Sequence, residues 1–100
     1  MQRLYVLVRT DLTYSSPAVQ AGHAVAEFCL GSGRALRWGN HTLIYLGVKN
    51  LNELLKWCFK LGKKNIDFIC FAEPDMNDEM TAIAALVDDG KIFRDLKLLE

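Results

Sequence analysis

One hundred residues, 51% hydrophobic and 24% charged, fit one globular domain; they exclude a disordered chain and are too few for two ordinary cores. The formal net charge is zero, so no global field draws the chain toward a polyanion, and no apolar run nears the roughly 20 residues that span a bilayer. Charge is nonetheless segregated: residues 1–64 hold nine Lys/Arg against three Asp/Glu, and residues 65–100 hold three against nine, +6 facing −6. That split marks either a nucleic-acid surface or two halves that attract each other in the fold.

In chain order, 4-LYVLV-8 is apolar on both faces and predicts a buried strand. The apolar stretch there is too short for the core of a signal peptide, and it ends at Arg9 and Asp11. Ser16 followed by Pro17 is a helix start: a hydroxyl at the cap, then a proline where no N–H is missed. The helix is predicted over about 17–30, stopping before 31-GSG-33. Ala18, Ala21, Gly22 and Val25 form a stripe of small side chains suited to close packing. Gln20, His23, Ala24 and Glu27 form the neighbouring stripe. His23 thus sits at a border. Residues 31–41 read as a Gly-rich, basic connector with no period.

A second strand is predicted at 42-TLIYLGV-48, followed by a helix capped by Asn50 with Glu53 three positions on. Leu51, Leu54, Leu55, Cys58 and Leu61 give that helix its apolar face, and Lys56, Lys60, Lys63 and Lys64 its wet side. Strands follow at 66-IDFICF-71 and 81-TAIAAL-86, separated by the acidic segment 72-AEPDMNDEM-80. The tail 91-KIFRDLKLL-99 is apolar enough to pack down. The expected fold is one α/β domain over residues 1–100, a mixed four-stranded sheet in the order β-α-β-α-β-β flanked by helices. Cys29, Cys58 and Cys70 are odd in number, lack C-x-x-C spacing and sit among apolar residues, which predicts reduced, buried thiols in a cytoplasmic protein.

In open α/β sheets ligands bind beyond the carboxyl ends of strands. Three segments should meet there: 9-RTD-11, the helix carrying His23, and 73-EPD-75. The pairing of 8-VRTDL-12 with 20-QAGHA-24 resembles the type-II peptidyl-tRNA hydrolases, whose N-terminal region runs strand, R-x-D-L turn, helix with Q-x-x-H-A. The likeness covers most of the chain in element order and the first 25 residues in motif. The chain departs from the family pattern where Ser16 stands for a lysine, and where 73-EPDMN-77 replaces an Asp-Ala-Gly-x-Thr turn; the last strand keeps a threonine in 81-TAIA-84. The resemblance implies hydrolysis of the ester of peptidyl-tRNA, tRNA as partner, and a scaffold that can pair as a homodimer.

Ester hydrolysis by water needs a base and stabilisation of the developing oxyanion. The candidate catalytic residues are His23, Glu73, Asp75 and Asp11, with His23 oriented by Glu27 or Glu73. The candidate substrate-binding residues are Arg9, Thr10, Gln20, Arg34 and Arg37. Each has a plainer reading. His23 is then a satisfied helix-edge histidine, the acidic run a solvated turn, Arg9–Asp11 a pair that holds its own turn, and Arg34/Arg37 an exposed loop. No cofactor or metal is expected, since the chain has no H-x-x-H, H-E-x-x-H, G-x-G-x-x-G or Walker pattern. A non-catalytic relative binding RNA or protein, and an enzyme acting on another small ester or amide, are the alternatives.

Overall fold

The computed structural model describes residues 2–31 and 33–99. Strand β1 (Arg3–Arg9) leads to helix α1 (Pro17–Cys29), a short α2 (Arg34–Trp38), β2 (Leu43–Val48), α3 (Leu51–Lys63), β3 (Asp67–Glu73), β4 (Glu79–Val87) and β5 (Lys97–Leu98). Single 3₁₀ turns at Pro74–Met76 and Gly90–Phe93 join the last three strands. The sheet has five strands in the order β3-β4-β1-β2-β5, not four. The extra strand is two residues of the tail, pairing Leu98 with Leu46 and Lys97 with Gly47. It has no sequence period of its own and exists only because β2 offers it an edge.

β1 and β2 run parallel, while β4 lies antiparallel to both β1 and β3. Alternation along β1 sends Leu4, Val6 and Val8 to one face, with Ala21, Ala24 and Phe28 of α1. Tyr5 and Leu7 go to the other, with Leu54 and Leu61 of α3. β1 is covered on both sides, which is why it reads as an unbroken apolar run. Both predicted caps form: Ser16 Oγ accepts from Ala18 N–H at 3.1 Å, and Asn50 Oδ1 from Glu53 N–H at 3.0 Å. The Glu53 carboxylate pairs with Lys56.

Three local expectations change. The buried stripe of α1 is Gln20, Ala21, Ala24 and Phe28, so Gln20 belongs to the interior and Ala18 to the surface. Small apolar residues ring this helix, and its sequence names no single face. Leu55 is 45% exposed, off the stripe that Leu54 and Leu61 define on α3. The basic connector holds α2, whose Trp38 is buried with its indole N–H on the Thr42 carbonyl at 2.8 Å. No helix among the described residues is long and apolar enough to cross a membrane.

Candidate functional site

The buried polar residues among those described are Arg9, Gln20 and Thr81, and all three stand at the carboxyl end of β1. Hydrophobic burial alone does not put them there, since each desolvated polar group needs a partner. Arg9, the last residue of β1, donates from Nε and Nη2 to the two carboxylate oxygens of Asp11 at 2.9 and 3.0 Å. Its Nη1 donates to the Met80 carbonyl at 3.1 Å and to the Glu79 carboxylate. The hydrogen bonds from Arg9 hold the Asp11 carboxyl below its ordinary value, and the same bonds raise Arg9. The guanidinium is therefore committed to two carboxylates already.

Gln20 reaches the same end from α1. The Thr81 hydroxyl donates to Gln20 Oε1 at 2.7 Å, which leaves the amide Nε2 to donate to Ser15 Oγ at 3.0 Å and to Glu73 Oε1 at 3.3 Å. A break in strand register makes this possible. Phe71 pairs with Ala82, and the next residue, Ala72, pairs with Met80, so Thr81 is an extra residue on β4. A bulge of this kind re-aims a side chain locally. Here it turns Thr81 toward α1, while Met80 packs on the α3 side. The result is a hydrogen-bonded line from the interior outward, Thr81 to Gln20 to the half-buried Glu73.

His23, one turn beyond Gln20, is exposed, and its ring stacks on Phe71 with centroids 5.1 Å apart and planes at 20°. Phe71 and Glu73 occupy one face of β3, so the imidazole and the acid lie on the same side of the sheet. No carboxylate orients that imidazole among the described residues: Glu73 is bonded by Gln20, and His23 is held by the aromatic ring alone. Asp75 lies exposed in the 3₁₀ turn, which closes by a bond from Asp78 N–H to the Glu73 carbonyl at 3.0 Å, with Asn77 and Asp78 at positive φ. Asp75 thus sits in a tight hairpin connection, outside the bonded line that reaches Glu73.

Thr10 faces elsewhere. Its hydroxyl and its N–H both donate to the Val48 carbonyl, and it lines a groove of about 730 Å³ with Pro17, Gly47, Lys49 and Lys97. At Gly47 a Cβ would come within 2.9 Å of the Thr10 methyl, so the groove floor requires a residue without a side chain. Arg34 and Arg37 are at the other end of the sheet. Both bond Asp67, the first residue of β3, at 2.9 and 2.6 Å, and Arg34 lies over the Phe28 ring. Asp67 and Glu73 are separated by the whole of β3, roughly 20 Å at strand rise, so these arginines do not share a site with Glu73.

The structure therefore joins Arg9 with Asp11 and Gln20 with Glu73, sets His23 beside them, and separates Thr10, Asp75, Arg34 and Arg37. The candidate site residues read from the sequence omit Ser15, Glu79 and Thr81, although the resemblance takes in the threonine of 81-TAIA-84. Thr81 stands out as the one hydroxyl at the head of an Ala/Ile run and Glu79 as part of the acidic segment, whereas Ser15 carries no signal of its own. Among the described residues no group of three or more His, Cys, Asp or Glu is arranged to hold a metal ion.

No protein-family model matches the chain, and no curated protein sequence matches it. Among solved structures it is similar to a protein of unknown function from Agrobacterium tumefaciens strain C58, with a TM-score of 0.68 at 14% identity, over 99% of this chain and 98% of that one. The two share a fold: a single α/β domain whose mixed five-stranded sheet is flanked by helices.

Proposed function

We propose that the domain is a hydrolase of the peptidyl-tRNA hydrolase type, cleaving an acyl ester with water activated at Glu73. The observation that supports this reading is the Gln20 amide, fully buried and spent on aiming one carboxylate outward. A carboxylate bonded by a buried donor is held in one orientation, as a base for water must be. Gln20 and Thr81 are positioning residues. The Ser15 hydroxyl accepts from Gln20 at 3.0 Å and donates only over a weak 3.4 Å contact to the Ser16 carbonyl, which leaves its hydrogen to turn toward a developing oxyanion. His23, on the rim, supplies the proton to the leaving hydroxyl.

The direct test is release of labelled N-acylated amino acid from acylated tRNA. Glu73→Gln is expected to lower kcat by about 10²- to 10⁴-fold, the usual worth of a positioned acid–base group. His23→Ala should cost less. No cleavage by the unaltered protein above a buffer control removes the enzymatic reading and leaves the binding alternative.

A second reading, hydrolysis of a small acyl ester or amide without tRNA, is favoured by the local charge. Asp11 and Glu79 already hold Arg9, Glu73 adds a further carboxylate at this end of the sheet, and Arg34 and Arg37 are bonded to Asp67. Salt separates the two. Affinity that falls steeply with ionic strength belongs to a phosphate-bearing substrate, and a flat response belongs to a small ester.

A further inference from the structure

We propose that Cys58 and Cys70 form an oxidisable dithiol, a modification site that peroxide converts to an intramolecular disulfide between α3 and β3. The two sulfurs lie 3.2 Å apart, and the Met80 sulfur stands 3.6 Å from Cys58 on the third side. Cys70 is exposed on β3, an edge strand, and Cys58 is half-buried on the inner face of α3. This corrects the expectation of three buried thiols: small oxidants can reach this pair, whereas Cys29 lies on α1, across the sheet. A disulfide needs about 2.05 Å between sulfurs, and rotation of two side chains supplies the remaining closure.

The thiols are unequal. The two sulfurs share one S–H···S contact, which lowers Cys58 below an ordinary thiol and, together with burial, raises Cys70. The thiolate is the nucleophile, so Cys58 is taken as the attacking sulfur and Cys70, exposed on the edge strand, as the resolving one, an order that the two serine variants test. The Cys58 thiolate attacks hydrogen peroxide; an S–O bond forms, the O–O bond breaks, and hydroxide leaves. Cys70 then attacks the sulfur of the Cys58 sulfenic acid. The S–S bond forms, the S–O bond breaks, and the departing hydroxide takes the Cys70 proton as water. Two thiols have lost two electrons, and one peroxide has become two waters.

The test treats the reduced protein with hydrogen peroxide, alkylates what remains, and reads intact mass and peptide maps. The expected product has lost two hydrogens, keeps one alkylatable thiol at Cys29, and yields a linked Cys58–Cys70 peptide. Oxidation of Met80 instead adds one oxygen, so mass distinguishes the two events. Cys70→Ser should trap Cys58 as a sulfenic acid that dimedone labels, and Cys58→Ser should give no such label at Cys70. Three alkylatable thiols after peroxide, separate over-oxidation of each cysteine, or chains linked to one another would overturn the proposal.

Discussion

The sheet carries an ion-pair cluster at each end, and the two are built in opposite proportion. Beyond β1 a single arginine, its side chain 8% exposed, lies between Asp11 and Glu79, whose side chains are 39% and 38% exposed. At the start of β3 two arginines, 23% and 49% exposed, share Asp67. In the first the cation is sunk and the acids face outward; in the second the shared acid is half-buried, Arg34 lies over Phe28, and Arg37 is the outermost member. Depth decides what each does. A sunken arginine holds backbone and carboxylates in place, while exposed pairs in high dielectric contribute little.

The largest expected effect follows from that contrast. Arg9→Ala removes the bonds to Asp11, Glu79 and the Met80 carbonyl together, and leaves two acids facing each other. A loss of about 3 kcal/mol in urea unfolding is expected, the lower end for a broken buried pair because the acids keep solvent contact. Arg37→Ala at the opposite end should cost less than about 1 kcal/mol. Equal losses at the two ends would dissolve the comparison.

Next is the Gln20–Thr81 pair. Gln20→Ala strands the Thr81 hydroxyl and frees Glu73, for about 1–3 kcal/mol. A double-mutant cycle with Thr81→Val should return a coupling of about 1 kcal/mol, read from the same unfolding curves. Additive losses would mean that the line from interior to Glu73 is not one unit.

Acid sharpens the comparison further. Arg9 hydrogen bonds hold Asp11 below its ordinary value; at Asp67 burial pushes upward, and the bonds from Arg37 and Arg34 outweigh it. Each aspartate therefore contributes stability that is complete above the unfolded value of about 3.9 and is lost as pH falls through its lower folded value. Thermal unfolding from about pH 6 down to about pH 2 should show this loss. Asp11→Asn and Asp67→Asn should each flatten the curve, since at both the arginine bonds outweigh the opposing burial. The smallest effect is His23→Ala, exposed and held by one ring contact, expected within about 0.5 kcal/mol of the unaltered protein.

What was legible in the sequence was local. Ser16–Pro17 and Asn50 announce helix starts because the bond they make lies within three residues. Arg9 and Asp11 are two residues apart and pair in their own turn. Gln20 and Thr81 are 61 residues apart, and their meeting depends on a register break that no periodicity displays. The segregation of charge was real but did not say where each charge goes. Arg34 and Arg37 find Asp67 of the acidic half, so at this end attraction between halves accounts for them. β5 was invisible for a simpler reason, as two residues cannot show alternation.

The extra residue at Thr81 has a consequence for how this chain tolerates change. Met80 already faces α3 and Ala82 faces α1, so a chain lacking Thr81 would pair Ala72 with Met80 and Phe71 with Ala82 in unbroken alternation, and Ala82 through Val87 would keep their layers. The inserted position stands outside that alternation: it lets the outward polar end and the apolar remainder of one strand be set independently. Substitutions can therefore retune the polar end without touching the interior, and a deletion at Thr81 would take away the partner of Gln20 while the apolar layers stay in place.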